Sequence, residues 1–119
     1  MTTTAPLSVQ LYTVRRELAA DPAGTFERLR AIGFSTVELF ALVDYADVYR
    51  ELPEYGLAPS SAHVGLVDAD VVPVFEAARA VGVTTLIHPF TDASRWTTGD
   101  DIAAIAAELN RVAAIAADL

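Results

Sequence analysis

The sequence predicts an α/β fold in which four β/α units feed one parallel sheet. Three observations carry this. The first is a repeated unit, a helix end closed by glycine and followed by a short apolar strand: Arg30-Ala31-Ile32-Gly33-Phe34-Ser35-Thr36-Val37-Glu38-Leu39-Phe40 recurs as Arg79-Ala80-Val81-Gly82-Val83-Thr84-Thr85-Leu86-Ile87-His88, with a looser copy at Gly56-Leu57-Ala58-Pro59-Ser60-Ser61-Ala62-His63. The second is the spacing of the three glycines, 23 and 26 residues, the length of one strand, one helix and two short loops. The third is the alternation itself, since strands separated by helix-length segments pair in parallel through crossover connections.

Each element follows from its residues. Leu7 to Leu11 alternates apolar and polar side chains and reads as the first strand, with Tyr12 and Thr13 at its exit. Val14 to Ala20 is a connection or helical turn. Asp21-Pro22 opens the first long helix, Asp as the cap and Pro at the first helical position, with Phe26, Leu29 and Ile32 as its inward face. Gly33 ends it, because glycine takes a left-handed backbone without a Cβ clash. Ser35 to Phe40 is the second strand. Asp44 to Tyr55 is the next helix, with Val48, Leu52 and Tyr55 on one face and a bend expected at Pro53. Leu57 to His63 is the third strand, expected to begin after Pro59 if it is central in the sheet. Asp68 or Asp70 caps a helix running to about Ala80, with Pro73 in its first turn and Val71, Val74, Phe75 and Ala78 inward. Val83 to Ile87 is the fourth strand, broken by His88-Pro89. A polar loop holds the single tryptophan, Trp96. Thr98 then caps a last helix whose stripe is Ile102, Ile105, Leu109, Val112, Ala116 and Leu119.

Composition bounds the function. The 119 residues are 53% hydrophobic, enough for one domain with a core. No apolar run approaches the ~20 residues of a membrane span. Met1 to Pro6 has neither the basic segment nor the apolar core of a secretory signal. There is no cysteine, so disulfides and thiolate metal sites are excluded. A cytoplasmic protein is the expectation. The net charge of −8 opposes nucleic-acid binding, which draws its affinity from Lys and Arg.

In parallel β/α sheets ligands bind at the carboxyl ends of the strands. The exits here carry Tyr12, Glu38, His63 and His88, and Trp96 lies in the loop beyond the fourth. Both histidines of the chain occupy such positions. Each residue also has a structural reading: Glu38 as a bonded carboxylate, the histidines as satisfied core groups, Tyr12 and Trp96 as a roof over the core. A Glu with two His also suits a metal, but their spacing makes no local ligand motif. No phosphate-cradling glycine loop, nucleophile elbow or Ser-His-Asp set can be assembled.

Ser8-Val9-Gln10-Leu11-Tyr12-Thr13-Val14, Ala31-Ile32-Gly33-Phe34 leading to Val37-Glu38-Leu39, and Ser60-Ser61-Ala62-His63 resemble, in family order, the xylose-isomerase-like sugar phosphate isomerase/epimerase family. The resemblance implies a TIM barrel, of which residues 1–119 would be the N-terminal half: four β/α units, apparently cut after the fourth helix. An open flavodoxin-like sheet is the alternative architecture. The implied activity of the complete protein is metal-dependent isomerisation or epimerisation of a sugar or sugar phosphate through an enediolate. The divalent metal (Mn, Mg, Co or Zn) and the acid/base carboxylates would come from later strands. For this half the resemblance implies a substrate-lining role only, with Tyr12, Glu38, His63, His88 and Trp96 as the pocket candidates, no metal on this chain alone and no activity from it alone. A lyase resembling inosose dehydratase and a non-catalytic α/β assembly or binding module are the alternatives. The bare edges of a half-barrel imply a homo-oligomer.

Overall fold

A computed structural model describes residues 5–119. Most of the N-terminal stretch read above for a leader lies outside the described residues. The strands are β1 (Ser8–Gln10), β2 (Thr36–Phe40), β3 (Ala58–His63) and β4 (Leu86–Ile87). The helices are α1 (Arg15–Ala20), α2 (Pro22–Ile32), α3 (Ala46–Tyr49), α4 (Val72–Val81) and α5 (Gly99–Ala117). The strands form one sheet in the order β1-β2-β3-β4, all parallel.

That order decides between the two architectures. Every crossover steps to the next strand in the same direction, and right-handed crossovers of one direction place every helix on the same face. A flavodoxin-like sheet reverses direction and covers both faces. Burial agrees with the one-sided arrangement. Val37, Leu39 and Ala62 are fully buried in the core with Phe26, Tyr49 and Leu52, while Glu38, Phe40 and His63 are only half-buried. The fold is half of a TIM-type barrel, not closed, with its would-be interior exposed.

The punctuation residues work as their chemistry requires. The Asp21 carboxylate caps α2, accepting from the Gly24 N–H at 3.0 Å. Gly33, Gly56 and Gly82 all have positive φ, at 120°, 71° and 82°. Thr98 caps α5 in a reciprocal box with Asp101, whose hydrogen bonds from Thr97 and Thr98 hold its carboxyl below the usual range.

Several expectations are corrected. Pro53 splits the second helix into the single turn α3 and a 3-10 turn, Leu52–Tyr55. β1 ends at Gln10, because Leu11 turns into a 3-10 helix, Leu11–Val14, that leads into α1. β4 is two residues long, not five. β3 begins at Ala58 and contains Pro59, because the ladder slips there. Val37 pairs with Pro59 but Glu38 pairs with Ser61, leaving Ser60 as an extra residue. The missing proline N–H falls at this bulge, where the Ser60 hydroxyl donates to the Val37 carbonyl at 3.2 Å. Neither Asp68 nor Asp70 caps α4. Its N-cap is Val71, and Asp68 instead sits in a left-handed turn, φ 55°, paired with Arg95. Ile32 is 72% exposed rather than inward. It overhangs the amino end of the sheet, where it lines a shallow recess with Pro6, Leu7 and Phe34.

Candidate functional site

The parallel registers stack polar residues on the uncovered face. Gln10 pairs with Glu38 and Glu38 with Ser61, which sets three polar side chains side by side across three strands. The Ser61 hydroxyl donates to Glu38 Oε1 at 3.0 Å. Gln10 Oε1 accepts from the Tyr12 N–H at 3.2 Å. Its Nε2, buried, has no partner among the described residues. A buried amide donor left unpaired costs about 1–3 kcal/mol.

One layer nearer the carboxyl ends, Phe40 pairs with His63. Side chains two residues apart share a face, so Glu38 and Phe40 point the same way, and His63 with them. The Tyr12 ring meets Phe40 edge-on, centroids 5.4 Å apart and planes at 89°, and Tyr45 meets Phe40 at 5.5 Å. Arg15 lies over the outer face of Tyr12, 4.4 Å from its centroid, and donates to the Tyr12 carbonyl at 3.0 Å. The mouth is therefore a floor of carboxylate, amide and hydroxyl under an aromatic wall. The His63 ring, half-buried, makes no hydrogen bond among the described residues.

Two features hold the rim. The Tyr49 hydroxyl donates to the Phe40 carbonyl at 2.7 Å, and burial pushes that hydroxyl's pKa well above its ordinary value. Ala41, the next residue, has a positive φ of 48°, which turns the chain sharply off the end of β2. Left-handed backbone is costly for a residue with a Cβ, and such positions gather at functional rims.

The structure thus brings Tyr12, Glu38 and His63 together. It sets His88 and Trp96 apart from them in their bonding. His88 Nδ1 accepts from the Leu66 N–H at 3.0 Å, which puts the ring proton on Nε2, facing the Thr91 hydroxyl at 2.8 Å. Trp96 Nε1 donates to the Thr91 carbonyl at 3.0 Å. Both rings spend their polar atoms holding the loop after β4. Gln10, Ser61, Phe40 and Tyr45 are members of the mouth that the sequence reading did not single out. Ser61 was accessible there, because it stands five residues after Gly56 as Glu38 stands five after Gly33.

Among the described residues no three His, Asp or Glu side chains come together as ligands. Nor does any helix of the described residues have the length and apolarity to cross a membrane.

No protein-family model matches the chain, and no curated protein matches it. A solved structure does: a sugar phosphate isomerase/epimerase from Parabacteroides distasonis, with a TM-score of 0.70 at 18% sequence identity. The alignment covers 98% of this chain and 49% of that one. The chain therefore spans about half the length of the structure it matches, and the two share a fold.

Proposed function

We propose that this chain forms the N-terminal half of a sugar or sugar phosphate isomerase/epimerase barrel, and that its strand ends bind the sugar. The observation that carries the reading is the mouth itself, where Glu38, Ser61 and Gln10 lie in register beneath Tyr12, Phe40 and His63. A sugar presents alternating hydroxyls and an apolar C–H face. The Glu38 carboxylate accepts from one hydroxyl, and the Tyr12–Phe40 wall takes the C–H face. Likeness of fold to a solved isomerase/epimerase supports the choice of ligand class.

The reaction of the complete barrel is proton transfer next to a carbonyl, through an enediolate. That chemistry needs a base at the carbon acid and a charge stabiliser at the developing oxyanion. Among the described residues Glu38 is the one strand-end carboxylate on this mouth. The part of this chain is to bind and orient, and the remaining carboxylates, with any divalent metal they hold, belong to the second half of the barrel. Alone, the chain does not isomerise sugars.

The test is an NMR titration of the labelled chain with a panel of aldoses, ketoses and their phosphates, with loss of a labelled C2 proton followed in parallel. Saturable shifts at Gln10, Glu38, Ser61 and His63, weakened in Glu38→Gln and His63→Ala and without proton exchange, support the reading. No shift at the mouth with any member of the panel refutes sugar binding. Exchange of the C2 proton refutes the division of labour between the halves.

A further inference from the structure

The ladder between β3 and β4 has a rung that can titrate. In a parallel ladder the bonds are evenly spaced, and a strand donates from every second residue. The Ala62 N–H donates to the Thr85 carbonyl at 3.1 Å, and the Val64 N–H to the Ile87 carbonyl at 3.0 Å. The next donor in the series is the Leu66 N–H. Its acceptor is not a backbone carbonyl but Nδ1 of the His88 ring, at 3.0 Å. Strand pairing ends at Ile87, and the imidazole continues the ladder by one step.

That rung works only with a neutral ring. Nδ1 accepts through its lone pair, so the ring hydrogen sits on Nε2, which faces the Thr91 hydroxyl at 2.8 Å. A histidine takes up a second ring proton near pH ~6.5, and here only Nδ1 can receive it. The new N–H then faces the Leu66 N–H, donor against donor. Nε2 carries its hydrogen in both forms, so the bond to Thr91 survives. One proton therefore cuts the tie to the β3 side and leaves His88 anchored in its own loop.

Residues 64–71, which hang on this rung, form no helix or strand. They start one residue after His63, and Leu66 is buried in the core. The same loop is also tied by the ion pair of Asp68 with Arg95. The charged groups on the surrounding elements are Asp68 and Asp70 in the loop, Glu76 on α4, Asp92 and Arg95 beyond Thr91, and Glu108 and Arg111 on α5. Among the described residues none of these carboxylates forms an ion pair with the His88 ring. Carboxylates titrate near pH ~4. Glu108 is held below the usual range first by Arg111, with the Asp68 backbone and Arg95 adding to it. These charges persist while a histidine changes its own.

We propose that His88 is a pH-sensitive latch on the loop after β3. The latch is closed where the ring is neutral, above pH ~7, and opens as pH falls through ~6.5. The loop it releases is the one that leaves the mouth at His63, so acidification loosens that side of the mouth. The registers that align Gln10, Glu38 and Ser61 contain no histidine and stay as they are. The latch involves no ligand and is independent of the sugar reading above.

The test is NMR of the isotope-labelled chain without ligand. At pH 7.5 the ring nitrogens of His88 are expected to show a bare Nδ1 and a protonated Nε2. Amide exchange at Leu66, expressed as protection relative to the unfolded rate, is expected to fall about fivefold to tenfold between pH 7.5 and 5.5, as one net hydrogen bond implies. Protection at Ala62 and Val64 holds. In the wild type the midpoint of the Leu66 step coincides with the titration of the His88 ring. His88→Asn puts a carbonyl oxygen where Nδ1 stood and cannot titrate, so it is expected to flatten the step, whereas His63→Ala retains it. A proton on Nδ1 at pH 7.5, Leu66 protection that is equal at both pH values, a midpoint that follows His63 instead, a step that survives His88→Asn, or one lost in His63→Ala each overturns the proposal.

Discussion

The hydroxyl of Tyr49 is a single atom on which the shape of the mouth depends, and its removal has a calculable effect. Tyr49 is 1% exposed, and its hydroxyl donates to the Phe40 carbonyl at the end of β2. Tyr49→Phe keeps the ring, which stacks on Tyr45 at 5.7 Å, and removes the donor. Full burial of the abandoned carbonyl would cost about 1–3 kcal/mol, and at this part-buried bond the loss is expected at the low end, about 1 kcal/mol. At the size of this chain that lowers Tm by roughly 3–6 °C per kcal/mol. The titration adds a second signature. Burial, the dominant cause, raises the folded-state pKa of Tyr49 above its unfolded value, so the native state keeps a proton that the unfolded state releases above pH ~10. Stability from this group is complete below pH ~10 and falls as pH rises toward the folded value, at up to ~1.4 kcal/mol per pH unit. Urea denaturation of wild type and Tyr49→Phe at pH 7 and across pH 10 to 12 measures both. The variant is expected to be less stable at pH 7, with the gap narrowing as pH climbs. Tyr55, also shifted upward by partial burial and neighbouring carboxylates, is common to both chains and cancels. Equal stability at pH 7, or an identical alkaline slope, would refute the assigned bond and its linkage.

Two further perturbations probe the rim and the last helix. Ala41→Gly relieves a left-handed backbone that costs ~1 kcal/mol or more, partly offset by the greater freedom of glycine in the unfolded chain. Thermal melts are expected to show it neutral to ~1 kcal/mol more stable, while Ala41→Val is destabilised. Thr98→Ala removes the side-chain acceptor for the Asp101 N–H and should cost ~1 kcal/mol, read by denaturation together with loss of helical ellipticity from α5.

Much of the fold was legible because its signals are local. Gly33, Gly56 and Gly82 end their segments by backbone necessity, and Asp21-Pro22 and Thr98 start helices by chemistry confined to one turn. What escaped the sequence depends on the neighbouring strand. Pro59 reads as a strand breaker until the slip opposite Val37 shows where its missing donor falls. Ile32 has the spacing of an inward residue, but its burial depends on whether sheet lies beneath the last helical turn, and none does. The mouth divided in the same way. Glu38 and His63 were identifiable as polar residues ending apolar strands. Gln10 and Ser61 acquire meaning only from register, and His88 loses its free nitrogens to Leu66 and Thr91, contacts that no spacing rule encodes.

The measurement that bears most directly on the account is a crystal structure of the chain grown with a ketose or ketose phosphate. Sugar density is expected on the uncovered face of the sheet, within hydrogen-bonding distance of Glu38, with its C–H face against Phe40 and Tyr12. Helices covering that face, or sugar bound only in the cleft between α4 and α5, would contradict it.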